Sequence, residues 1–228
     1  MSIADNLLQV KAEMTAAAVK AGRDPASVRL VAVAKTHPAA LVEEAARAGQ
    51  RLFGENYVQE FIAKAAQVRE PVEWHYIGHL QSNKVKQLAG LVTLIHSVDR
   101  LSLAEEIDRQ WEKLGCPCAV LIQVNVAGEA SKSGTTAAAA VELVRAIARL
   151  PHLRVRGLMT LPPFFADPEE ARPYFRELRH LANTITATDL PGVEMAELSM
   201  GMSGDYRVAI EEGATLVRIG TAIFGERP

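Results

Sequence analysis

Hydrophobic positions along this chain alternate between two patterns. Short apolar runs of about four to eight residues read as strands buried on both faces. Between them lie longer stretches whose apolar residues recur every three or four positions, as on one face of a helix. The first such stretch, residues 3–21, carries Ile3, Leu7, Leu8, Val10, Met14 and Val19 and reads as a leading amphipathic helix. Then comes the strand "RLVAVAK", followed by a helix in "PAALVEEAARAGQ", with Pro38 in its first turn and Gly49 as its stop. The pattern continues with strand "RLFGE", helix "NYVQEFIAKAAQVR", strand "VEWHYIG", short helix "SNKVKQLAG", strand "VTLIHSV" and helix "RLSLAEEIDRQWEKLG". The second half reads as strand "CAVLIQVNV", helix "TTAAAAVELVRAIARL", strand "LRVRGLMT" and a helix within "DPEEARPYFRELRHLANTIT", with Pro173 near its first turn. Strand "VEMAELSM", helix "GDYRVAIEEG" and strand "ATLVRIG" complete it.

Eight strands separated by helices imply right-handed βαβ units and a parallel sheet. The expected fold is α/β: a single (β/α)8 TIM-type barrel over residues 1–228, with an extra N-terminal helix. An open doubly wound sheet is the alternative, but no G-x-G-x-x-G follows the first strand. Only "GTAIFGERP" follows the eighth strand, too little for a full closing helix. The leading helix is expected to cover that gap.

Composition narrows the setting. The 228 residues are 49% hydrophobic and 23% charged, ordinary for a globular protein, and the net charge of −2 gives no pull toward nucleic acid or an anionic membrane. No apolar run reaches the roughly 18 residues of a spanning helix. The opening "MSIADNLLQVKAEM" lacks the basic-then-apolar build of a signal peptide, so a cytoplasmic location is expected. Cys116 and Cys118 lack zinc or C-x-x-C spacing and read as small residues entering a strand.

Barrels of this kind work at the C-terminal ends of their strands. There this sequence places Lys35; Glu55 and Asn56; His75, Ile77, Gly78 and His79; His96; Gln123 and Asn125; Thr160; Ser199 to Ser203; and Arg218, Gly220 and Thr221. Lys35 ends a wholly apolar strand. Desolvation there would favour the neutral, nucleophilic amine, and a snorkelling lysine with its head in solvent is the plain alternative. "LSMGMSGD" and "VRIGTAIFG" put glycine and hydroxyl residues after strands seven and eight, the usual phosphate site of such barrels. Ser199, Gly201, Gly220 and Thr221 facing Lys35 across one mouth point to a ligand with an aldehyde and a phosphate, namely pyridoxal phosphate. Arg218, two residues before Gly220 and on the same strand face, would sit near the pyridine nitrogen and keep it unprotonated. His75, His79 and His96 fit no close metal-ligand spacing, and "NVAGEASKSG" lacks the P-loop pattern, leaving Lys132 and Gly134 as mouth-loop residues near the ligand.

The segments "VAVAKTHP", "FGENYVQE", "WHYIGHLQSNK", "HSVDR", "QVNVAGEASKSG", "GLMTLPP" and "LSMGMSGDYRVAIEEGATLVRIGTAIFG" run in order over nearly the whole chain. They resemble the pyridoxal 5′-phosphate homeostasis protein family (the YggS/PROSC type), whose fold is similar to the N-terminal barrel of alanine racemase. The resemblance implies that Lys35 carries the cofactor as a Schiff base. It also implies that Ser199, Met200, Gly201, Gly220 and Thr221 hold the phosphate, that Arg218 lies by the ring nitrogen, and that Asn56 and the Ile77–Gly78 turn line the ring. It implies a cofactor carrier without clear turnover, and cofactor-dependent apo-enzymes as its partners. Racemases of this fold use a second acid/base, a tyrosine from an additional β domain of the partner subunit. That domain is expected to be missing, because the sequence stops at Pro228, and a monomer is expected with it. Two other readings stay open: a small racemase-like enzyme with Tyr57, His75 or a solvent base in place of that tyrosine, and a cofactor-free interaction module.

Overall fold

The computed structural model describes residues 2–129 and 132–226. Eight strands carry the architecture: β1 (Arg29–Val33), β2 (Leu52–Glu55), β3 (Glu73–Tyr76), β4 (Leu94–Val98), β5 (Cys118–Asn125), β6 (Leu153–Met159), β7 (Val193–Ser199) and β8 (Leu216–Ile219). Each pairs in parallel with its neighbours; β1 pairs with β8, and β4 pairs with β5, so the sheet closes into the expected barrel. A two-residue pairing at Thr135–Thr136 extends the edge of β5.

Alternation along the strands builds two cores. Val31, Leu52, Leu94, Leu121, Met159 and Leu216 fill the barrel interior as one apolar layer. The opposite strand faces pack against the helices in a larger cluster that includes Phe53, Trp74, Tyr76, Ile95 and Ile122. Above that layer the inward-facing positions line a cavity, apolar at Val33 and Ile77 and charged at Lys35 and Arg218. The series Val31, Val33, Lys35 therefore rises along one face of β1 from packed core to open mouth.

The helices are α1 (Ile3–Lys20), α2 (Ala39–Arg47), α3 (Val58–Ala65), α4 (Leu101–Glu112), α5 (Ala137–Ile147), α6 (Arg172–Thr186), α7 (Tyr206–Glu211) and α8 (Thr221–Phe224). Ser2 and Asp5 cap α1 reciprocally, and the helix buries Ile3, Leu7, Val10, Met14, Ala17 and Ala18. It packs on α2, α7 and α8 and so covers the wall that the four-residue α8 leaves open, as the sequence leads one to expect. Asn6 Nδ2 donates to the Ile223 carbonyl at 2.9 Å, and Arg23 donates to the carbonyls of Ile210 and Ala214.

Two local expectations change. Leu8 and Val19 fall outside the apolar stripe of α1 and face solvent. "SNKVKQLAG" forms a 3-10 turn at Ser82–Gln87. Another 3-10 turn, Pro168–Ala171, precedes α6, and Pro173 sits in the first turn of that helix, as expected. No helix among the described residues is long and apolar enough to cross a membrane.

Candidate functional site

A cavity of about 690 Å³ opens at the C-terminal ends of the strands. Lys35, Asn56, Ile77, Gly78, Arg218, Gly220 and Thr221 all line it. Ser199, Met200 and Gly201 do not; they are buried behind its wall, and the next residues, Met202, Ser203, Gly204 and Asp205, face the cavity instead. Lys132 lines it and pairs with Glu129 at 2.8 Å, whereas Gly134 packs against the Asn125 backbone. His37, stacked on Phe224 at 5.3 Å, and Pro38, the residue before α2, lie outside it.

Lys35 stands at a strained corner. Thr36, the next residue, is left-handed at φ 66°, which a β-branched side chain rarely adopts. Two side chains of α3 hold that corner. Glu60 Oε1 accepts the Thr36 N–H at 2.5 Å, and Lys64 Nζ donates to the Ala34 carbonyl at 2.6 Å. Lys64 also donates to Glu60 at 2.9 Å and to Glu55 at 2.5 Å. The backbone on both sides of Lys35 is thus fixed by one ion-pair cluster, with Lys64 and Glu55 buried. Burial pushes the Glu55 carboxyl up to about 7 against the pull of Lys64, and its Oε2 has no hydrogen-bond partner.

The neighbouring wall depends on close backbone approach. A Cβ on Gly78 would lie 2.0 Å from the Asn56 carbonyl oxygen, so only glycine fits. Tyr76 OH donates to that same carbonyl at 3.0 Å. Asn56 Oδ1 is a buried acceptor without a partner at the cavity edge.

Across the mouth, Arg218 is 4% exposed. Its guanidinium donates to Ser199 Oγ at 2.6 Å and to the Thr160 carbonyl at 2.8 Å. Both acceptors are neutral, and burial lowers the Arg218 pKa to about 10, with Asp205 opposing through space. Gly201, at φ 90°, turns the chain tightly: a Cβ there would come within 2.6 Å of Ala209 Cβ. Its carbonyl accepts the Arg218 N–H at 2.9 Å. Ser199 and Gly201 therefore hold Arg218 in place from behind.

Two of the three histidines meet, although not around a metal. His96 Nε2 lies 2.9 Å from His75 Nδ1, and His96 Nδ1 lies 2.9 Å from Ser199 Oγ. Burial holds both rings below the usual histidine range. His79 stands apart, 3.2 Å from Ser133 Oγ. Among the described residues no cluster of three or more His, Cys, Asp or Glu could hold a metal ion. Sequence reasoning passed over Lys64 and Glu60, noted Glu55, His96 and Thr160 as strand ends without a role, and gave His75 a role only as a candidate base of the racemase-like alternative. A signal for Lys64 existed: with Val58 and Phe61 it falls on the buried face of α3.

Comparison with known proteins agrees with this architecture. The family model described as "Alanine racemase, N-terminal domain" matches residues 4–228. A "Pyridoxal phosphate homeostasis protein" of Aquifex aeolicus is 45% identical over 228 residues, covering 100% of this chain and 99% of that one. The structure of PipY from Synechococcus elongatus with pyridoxal phosphate (PLP) bound superposes with a TM-score of 0.86 at 37% identity, over 98% of this chain and 100% of that one. An alanine racemase of Clostridium difficile shares the fold, with a TM-score of 0.76 at 15% identity over 98% of this chain and 57% of its own length. The chain belongs to the alanine racemase N-terminal domain family and, within it, to the pyridoxal phosphate homeostasis proteins.

Proposed function

We propose that this barrel binds pyridoxal 5′-phosphate at Lys35 and serves cofactor homeostasis as a carrier. The observation that carries the reading is one cavity lined by both an amine, Lys35, and a buried guanidinium, Arg218, whose hydrogen bonds go to neutral oxygens. A buried cation without a close anion suits an electron-rich ligand atom. The unpartnered Asn56 Oδ1 and the hydroxyls of Thr221 and Ser203 complete a donor and acceptor set that fits the cofactor. The names of the relatives and the PLP-bound structure of PipY support it.

In this reading Lys35 Nζ is the attachment point, and the Lys64–Glu60 pair holds its backbone at the mouth. Asn56, Ile77 and Gly78 line the ring, and Arg218 donates toward the ring nitrogen. Gly220 and Thr221, with Met202, Ser203 and Gly204, face the phosphate, while Ser199, Met200 and Gly201 support that wall from behind. Pyridoxal phosphate, when bound, supplies an aldehyde that amines add to and a ring that withdraws electrons most strongly when its nitrogen is protonated. Arg218 keeps a proton off that nitrogen, which favours holding over turnover. The racemase-like alternative loses one candidate base, because His75 is 2% exposed and does not line the cavity.

The proposal extends to residues 1–228 as one cofactor-binding domain, and to a cytoplasmic monomer that supplies cofactor-dependent apo-enzymes. The family match over residues 4–228 supports the single domain. Titration with pyridoxal phosphate tests the binding. Wild-type protein should gain one visible absorbance band per chain, and Lys35→Ala none. A band of equal intensity in Lys35→Ala would overturn the reading.

A further inference from the structure

A chain of hydrogen bonds runs through the barrel interior from Arg218, on the cavity, to Glu73, the first residue of β3 at the opposite end. The links are consistent with one donor-to-acceptor direction along the whole chain. Arginine only donates, so Ser199 Oγ accepts from Arg218 at 2.6 Å. The Ser199 hydroxyl then donates to His96 Nδ1 at 2.9 Å. In that direction His96 carries its proton on Nε2 and donates to His75 Nδ1 at 2.9 Å. His75 likewise carries its proton on Nε2 and donates to Glu73 Oε1 through a longer link of 3.3 Å. The reverse polarity would need either a protonated Glu73 or a charged His75, and burial holds the His75 ring below the usual histidine range. The His75 hydrogen bond, joined by one from Thr93, holds that carboxyl down to about 2.

We propose that Ser199, His96, His75 and Glu73 are positioning residues that lock Arg218 as a donor toward the cavity and couple the far end of the barrel to the cavity floor. Packing alone does not call for them. An apolar interior cluster that includes Leu52 and Leu94 lies beside them, and two buried imidazoles cost desolvation that leucines in their place would avoid. The charged surroundings are defined. His75 faces Glu73, Arg29 and Glu197 as well as His96. His96 faces His75, Arg218 and Arg29. Glu197 pairs with Arg29 at 2.5 Å, leaving Glu73 as the relay's own anion.

The effect on a bound ring rests on the cofactor reading; the relay itself does not, so the two are tested separately. Long-range 1H–15N correlation spectra of the cofactor-free protein report the tautomer of each imidazole. The relay requires His75 and His96 both neutral with the proton on Nε2 near pH 7. A proton on His96 Nδ1, or a charged His96, would overturn it. In protein loaded with pyridoxal phosphate, Glu73→Ala should lower the pH midpoint of the visible band by at least about half a unit, since the anion that ends the buried histidine chain is removed. Lys35 should stay labelled by borohydride in that variant. A midpoint equal to wild type, with loading intact, rejects the coupling. Loss of labelling in the wild type rejects the cofactor reading and leaves the tautomer result to decide the relay.

Discussion

The Lys64–Glu55 pair is buried on both sides, with 4% and 0% of the side chains exposed, and its partners are specific backbone atoms around Lys35. Removing one member of such a pair leaves an uncompensated buried charge. Lys64→Ala is expected to lose about 3–5 kcal/mol in urea unfolding. Glu60→Gln, at the exposed end of the cluster, should unfold nearly as the wild type does and attach pyridoxal phosphate more slowly in stopped-flow absorbance, because the Thr36 N–H loses its charged acceptor. Glu55 adds a pH dependence. Its folded pKa of about 7 lies above the model-peptide 4.5, so the folded state binds the extra proton between these values. The stability this contributes is fully present below about pH 4.5 and is lost as pH rises through 7. Urea midpoints between pH 5 and 7.5 should therefore fall more steeply in wild type than in Glu55→Gln. Equal slopes would show that Glu55 does not titrate there. Lys35 and Arg218 were legible in the sequence because an ionisable residue ends an apolar strand in each case. The Glu60–Lys64 brace was not, because its meaning lies in contacts to the backbone just after β1, 24 and 30 positions earlier.

Elements decide where these residues stand. The strand and helix order was readable because buried parallel strands are short, apolar and interrupted by helical periodicity. Element ends were harder. "LSMGMSGD" was expected to place Ser199, Met200 and Gly201 on the ligand, yet the left-handed Gly201 turns the chain so that the residues after it face the cavity. Alternation along a strand does not reveal where a turn begins. The β2–β3 wall offers a direct test: Gly78→Ala would push a methyl against the Asn56 carbonyl. It should cost more than about 2 kcal/mol in urea unfolding and weaken pyridoxal phosphate binding with it. On the outer wall, Leu7 of α1 is 2% exposed in the core, and Leu7→Ala should cost about 2–5 kcal/mol, whereas Leu8→Ala, on a residue 72% exposed, should cost almost nothing. Equal effects would mean that α1 does not close the barrel.

The whole molecule is a barrel with an apolar cluster in its interior and a cavity at its mouth that carries Lys35 and Arg218, with the His75–His96 relay running through the interior. The closed sheet brings Lys35 and Arg218, 183 positions apart, to one cavity, since β1 and β8 are direct neighbours. That adjacency followed from counting strands. The relay could not be read that way, because it depends on which strand faces meet across the barrel axis. The central claim is that Lys35 holds the cofactor. Borohydride reduction of protein loaded with pyridoxal phosphate, followed by peptide mass spectrometry, tests it most directly. The account predicts a single pyridoxyl adduct, on Lys35. An adduct on Lys132 or Lys84 with Lys35 unmodified would contradict it.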